Sequence, residues 1–155
     1  MQKIDQKKFR NALGCYLTGV TVITTSVLNK MVGVTANSFS SVSLDPPLVL
    51  WSIDKNSSRY NMMSNAENYA INVLSSSQKN VAVEFVKNKD PFKKIDFILG
   101  INDVPIIENS SAVFECETKD IFDGGDHSII LGKVINFSFN ERKPLFFYKG
   151  DFGSL

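Results

Sequence analysis

Of 155 residues only two are cysteine and one is histidine. Cys15 and Cys116 form no Cys-x-x-Cys pair, and with a single His127 the chain offers few ligands for a transition metal. Net charge is nearly absent as well, with 17 Lys+Arg against 16 Asp+Glu and a formal value of +1. No field for nucleic acid follows from that balance, and no basic cluster sits on a reading helix. No apolar run approaches membrane-spanning length. Met1–Arg10 carries Lys3, Lys7, Lys8 and Arg10, yet no apolar signal-peptide core follows, so the expected location is cytoplasmic. Repeats, low-complexity tracts and internal linkers are also missing, which leaves one domain over residues 1–155.

Absent catalytic motifs narrow the field further. Gly14-Cys15-Tyr16-Leu17-Thr18-Gly19 has the glycine spacing of a phosphate loop, but Val20-Thr21 stands where the lysine belongs. No G-x-G-x-x-G follows a strand, and neither Gly-x-Ser-x-Gly nor His-Glu-x-x-His occurs.

What is present is mostly strand. Asp5 caps an expected helix in which Phe9, Ala12, Leu13, Tyr16 and Leu17 recur at helical spacing, with Gly14 small enough to admit a neighbour. Val20–Ser26 is β-branched, Asn29-Lys30 marks a turn, and Met31–Ala36 returns as the second arm of a hairpin. Leu48–Ile53, Tyr69–Leu74, Ala112–Lys119, Ser128–Phe139 and Leu145–Tyr148 complete the expected strands. Short helices are expected over Arg59–Glu67, with a hydroxyl cap, and from Ser75 through Phe85. Lys87–Ile107 mixes Pro, Gly, Asn and charge and reads as mostly loop. About seven strands with irregularly inserted helices suit an antiparallel barrel better than a parallel α/β sheet.

Three places could hold a ligand. The first runs from Thr35 through Val49, a hydroxyl-rich connection between two strands that ends in Pro46-Pro47; buried hydroxyls need partners, and a ligand can supply them. The second is Ser57-Ser58-Arg59, either a phosphate site at a helix start or an ordinary cap with a solvated arginine. The third is Asp123-Gly124-Gly125-Asp126-His127-Ser128, where the histidine is either a surface residue or a hydrogen-bonding group at the mouth of a strand. Phe85, Lys89, Phe92 and Lys93 either close over a flat ring or form a helix end with a solvated face. Pattern alone stops at a small β-rich domain with a polar ligand pocket.

Several blocks, in order along nearly the whole chain, resemble the short-chain flavin reductase family. They are Phe9–Gly14 with Thr18–Thr25, the stretch Val32–Val49, Tyr69–Leu74, Gly125-Asp126-His127 and Pro144–Gly150. The resemblance implies an antiparallel split β-barrel, mainly β with inserted short helices, assembled as a homodimer that binds FMN or FAD. It implies that Thr35, Ala36, Asn37 and Ser38 line the isoalloxazine. Ser41, Trp51, Ser52 and Asp54 would border its polar side and ribityl chain, with Ser57, Ser58 and Arg59 at the phosphate. The family often has a threonine near that point, where Arg59 and Tyr60 stand here. His127 would place the nicotinamide of NADH or NADPH, and Phe85, Lys89 and Phe92 would fall in a covering segment. The implied activity is hydride transfer from NAD(P)H to flavin, supplying a partner monooxygenase; the competing reading is a flavin-binding or flavin-storage protein of the same fold.

Overall fold

The computed structural model describes residues 4–155; Lys3 of the basic N-terminal stretch lies outside them. Helix α1 spans Gln6–Leu13 and begins where the Asp5 carboxylate accepts from the N–H groups of Lys7 and Lys8, at 2.9 and 3.1 Å. That cap is worth about 1 kcal/mol. The helix stops at Gly14, so Tyr16 and Leu17 lie beyond it rather than on its face. The Gly14 carbonyl accepts from the Lys149 N–H at 3.0 Å, which joins α1 to the C-terminal region.

Among the described residues twelve strands follow in chain order: β1 Thr18–Gly19, β2 Thr21–Val27, β3 Lys30–Ala36, β4 Ser40–Leu44, β5 Pro47–Asp54, β6 Asn68–Val73, β7 Phe97–Leu99, β8 Pro105–Ile107, β9 Ala112–Gly124, β10 His127–Phe139, β11 Leu145–Tyr148 and β12 Asp151–Ser154. Helix α2, Tyr60–Ser64, lies between β5 and β6, and α3, Lys79–Lys87, between β6 and β7. Seven strands pair antiparallel in the order β3-β2-β6-β9-β10-β5-β4. β1, β11 and β12 form a second sheet, and β7 with β8 a third.

The expected barrel is not closed by hydrogen bonds, because β3 and β4 remain the edges of the ladder. Inward side chains of six strands nevertheless share one core, including Ile23, Val34, Trp51, Ile71, Cys116 and Ile130. Strand twist coils the sheet around that cluster. A second cluster, with Val22, Leu74, Ala82, Phe85 and Ile107, packs α3 against the other face.

The region expected to be loop contains the β7–β8 hairpin, which roofs that outer face. It hangs from buried polar side chains. Asn72 accepts from the Ile107 N–H at 2.8 Å, Thr24 donates to the Pro105 carbonyl, and Glu115 accepts from the Ile101 N–H. Three-residue strands show no readable alternation, which is why the sequence reads as loop there. β4 was hidden for another reason: it is an edge strand with almost no buried face, so Ser40-Ser41-Val42-Ser43-Leu44 carries no inward apolar register. No helix among the described residues is long and apolar enough to cross a membrane.

Candidate functional site

β5 alternates strictly. Val49, Trp51 and Ile53 are buried, while Ser52 and Asp54 take the opposite face. Across the ladder Asp54 pairs with His127, and Ser52 with Ile129. Opposed residues of an antiparallel pair project to one side, so Ser52, Asp54 and His127 share a face at the exit of β5 and the start of β10. The intervening Ser128 turns inward and is 3% exposed. Its hydroxyl meets the Tyr60 hydroxyl at 2.8 Å, tying the first residue of α2 to β10.

The same alternation corrects the expectation for Trp51. Its indole is fully buried in the core, edge-on to Tyr69 at 5.9 Å, and cannot share a surface with Ser52 and Asp54. Phe85 is corrected too. It is fully buried beneath β3, its ring so close to Gly33 that a Cβ there would lie 2.5 Å from it. Phe92 is half-buried, stacked edge-on against Phe85 at 5.1 Å. An amphipathic α3 needs Phe85 for packing, which leaves Lys89 as the exposed member of the expected covering group.

The hydroxyl-rich stretch divides in its roles. Thr35 donates to the Ala82 carbonyl at 2.7 Å, fastening β3 to α3. Ala36 is half-buried against the core and its carbonyl accepts from Thr21 at 2.7 Å. Ser38 is bonded twice to the backbone of Ser52, accepting from its N–H at 2.9 Å and donating to its carbonyl at 3.1 Å. Asn37 and Ser41 are exposed, Ser41 on β4 opposite Val49. Through Ser38 the start of the stretch lies beside the exit of β5, next to the face that carries Asp54 and His127. Ser41, opposite Val49, projects to the other face of the sheet and is not brought together with them.

Beyond Asp54 the chain makes an Asx turn, the carboxylate accepting from the Asn56 N–H at 2.8 Å. The Ser57 hydroxyl accepts from the Arg59 N–H at 3.2 Å, and its carbonyl accepts from the Tyr60 N–H at 3.0 Å. The expected hydroxyl cap at the head of a short Arg59–Glu67 helix is thus replaced by a turn. Arg59 holds the cap position without a side-chain bond, and α2 runs only Tyr60–Ser64. The Arg59 guanidinium donates through Nη2 to the Asn88 carbonyl, bringing the end of α3 and neighbouring Lys89 to this corner.

The β9–β10 hairpin supplies the charges. Gly125 has φ +80°, as the first central residue of a type II′ turn requires. The Asp126 carboxylate meets His127 Nδ1 at 2.8 Å, and that bond holds the Asp126 carboxyl below its ordinary range. Lys55, which pattern reading passed over, pairs with Asp123 and donates to the Gly125 carbonyl at 2.7 Å. The pairing raises the Lys55 ammonium and lowers the Asp123 carboxyl. The sequence offered only a lone lysine in the Asp54-Lys55-Asn56 turn, because the acidic hairpin it meets lies far along the chain. Two concavities lie elsewhere: about 430 Å³ beside Glu67, Asn68 and Glu117, and about 270 Å³ beside Gln78, Lys94 and Arg142.

Residues 13–155 match the model of the flavin reductase like domain. The chain belongs to this family. As a flavin reductase-like domain it is 44% identical over 149 residues to the FMN reductase (NADH) SmoA of Agrobacterium fabrum, covering 96% of this chain and 86% of that protein. It is 42% identical to the reductase component of the flavin-dependent trigonelline monooxygenase of Acinetobacter baylyi, over 93% of this chain. There it spans about half of the relative's length, 47%. Among solved structures it superposes on the Streptomyces globisporus NADH:FAD oxidoreductase SgcE6 with a TM-score of 0.92 at 34% identity, covering 100% of this chain and 97% of that one.

Proposed function

We propose that this chain is an NADH:flavin oxidoreductase that passes hydride to FMN or FAD and supplies reduced flavin to a partner monooxygenase. The observation that carries the reading is the shared face of Ser52, Asp54 and His127, with Ser38 and its neighbour Asn37 held beside it, in a domain of the flavin reductase-like family. The relatives support NADH as donor and both flavins as acceptors, since SmoA is named for NADH and FMN and SgcE6 for NADH and FAD. We read the coiled sheet as the family's split barrel.

The donor set fits a flavin. At the Ser57–Arg59 corner the Ser57 hydroxyl proton, the Ser58 hydroxyl and the remaining guanidinium N–H groups are not used by the bonds described, so they suit an anionic phosphate. Exposed Asn37 suits the polar edge of an isoalloxazine. Bound flavin supplies the redox chemistry, accepting hydride from the dihydronicotinamide. The protein's contribution is stacking and orientation, which lowers the entropic part of the barrier.

His127 orients the nicotinamide. Because ionised Asp126 only accepts, the Nδ1 position of neutral His127 carries the proton and Nε2 keeps a lone pair. That lone pair accepts from the carboxamide of the nicotinamide. No step requires His127 to act as a base.

A homodimer belongs to the same reading. Val42 and Leu44 on edge strand β4, and Phe137 and Phe139 on β10, are exposed apolar side chains that a second copy would cover. Light scattering should give twice the chain mass of 17.3 kDa. A cytoplasmic site of action accords with NADH as donor.

The deciding experiment is anaerobic NADH and NADPH oxidation by the purified protein, with and without FMN or FAD. Flavin-dependent turnover supports the reductase and names its cofactor pair. Flavin binding without oxidation would reduce the protein to a flavin carrier.

A further inference from the structure

We propose that Lys55 is a positioning residue of the nicotinamide subsite: it tethers the Gly125-Asp126 turn to the end of β5 and so fixes where the His127 imidazole stands. The inference rests on the role given to His127 above.

One residue makes three attachments to successive parts of the hairpin. The Lys55 N–H donates to the Asp126 carbonyl at 3.0 Å, Nζ donates to the Gly125 carbonyl at 2.7 Å, and Nζ also pairs with the Asp123 carboxylate. Beyond the Gly124–His127 ladder pair that closes it, little else holds that turn. Residues 119–126 are all exposed, and nothing lies within 4 Å of the position a Gly125 Cβ would take. A turn without an apolar anchor is the least restrained part of its hairpin.

The tether continues into the imidazole. Asp126, whose carbonyl Lys55 holds, binds His127 Nδ1 through its carboxylate at 2.8 Å. Lys55 also balances the carboxylates gathered there, Asp123 and Asp126 on the hairpin and Asp54 opposite His127. Without that cation the acidic turn is repelled from Asp54, and the imidazole moves with it. The strand itself has a separate hold, because the Tyr60–Ser128 hydroxyl pair secures β10 from the buried side. Loss of Lys55 therefore releases the turn and leaves the sheet standing.

The test compares Lys55→Met and Lys55→Arg with the parent protein in two measurements. In NADH oxidation at saturating flavin, Lys55→Met should raise KM for NADH about tenfold while kcat and flavin Kd stay within about twofold, and Lys55→Arg should recover most of the loss. In the flavin-free protein, His127 is the one histidine of the chain, so its Cε1–H gives a single imidazole NMR signal. That signal should shift in Lys55→Met and return toward its parent position in Lys55→Arg. An imidazole signal identical in all three proteins overturns the tether, as does a fall in kcat with KM unchanged. If the parent protein oxidises neither NADH nor NADPH, the functional reading fails, and the imidazole signal still decides whether Lys55 holds His127.

Discussion

The Ser38 hydroxyl closes on both backbone atoms of Ser52, at 2.9 Å from its nitrogen and 3.1 Å from its oxygen. A side chain here substitutes for a neighbouring strand, holding the 37–41 stretch against β5. Ser38→Ala leaves two half-buried backbone groups without partners, which costs about 1–3 kcal/mol. Urea denaturation should show that loss together with weaker flavin binding. Asn37→Ala, at an exposed position, should leave stability within about 0.5 kcal/mol and affect flavin binding alone.

Phe85 and Lys89 separate core from surface within one short segment. Phe85→Ala empties a fully buried site under β3 and should cost about 3–5 kcal/mol. Flavin affinity measured on the protein that remains folded should be unchanged. Lys89→Ala, on the exposed side, should leave the urea midpoint where it is. A large loss of flavin affinity in folded Phe85→Ala would return that ring to the ligand site.

The Lys55–Asp123 pair gives a signed acid response. The Asp123 carboxyl is lowered from its ordinary 3.8, chiefly by its hydrogen bond to Lys55. A carboxyl depressed on folding adds stability above its unfolded value and loses it as pH falls through the folded one. The contribution is therefore complete at neutral pH and disappears only below about pH 4. Carboxyl-carbon NMR should find Asp123 titrating below 3.8, with a return to that value in Lys55→Met.

The two thiols should behave oppositely. Cys15 is exposed, whereas burial pushes the Cys116 thiol up to about 12. Since thiolate is the reactive form, a disulfide reagent at pH 8 should modify one thiol per folded chain. The second should react only in denaturant, and Cys15→Ser should abolish the fast reaction. Two fast thiols would show that β9 opens far more readily than its burial implies.

Much of this architecture is legible in the residues. Thr21–Val27 and Asn68–Val73 are strands because β-branched and aromatic side chains fit a pleated core face, and Asp5 sets its helix through a local cap. The position of Trp51 was legible as well: alternation along Pro47–Asp54 already puts it opposite Ser52 and Asp54. Phe85 was ambiguous, because an aromatic at a helix end is equally suited to packing and to stacking on a ligand. The facing of Asp54 and His127 was out of reach, since it depends on the β5–β10 register and on a bulged β9–β10 ladder. Lys55 shows the same limit, as its meaning arises only when a distant hairpin folds back over it.

The β7–β8 roof has a consequence for how this domain can vary. It is suspended from Asn72, Thr24 and Glu115 at a few backbone points, and its strands join neither of the other sheets. Lengthening the chain between those suspension points disturbs no ladder of the central sheet, and each doubling of a flexible connection costs only about 0.6 kcal/mol. A tag or a whole guest module spliced between Asn102 and Asp103, which lie between the Ile101 and Pro105 suspension points, would thus leave the face of Asp54 and His127 in place. That makes the roof the natural port for attaching the reductase to something else.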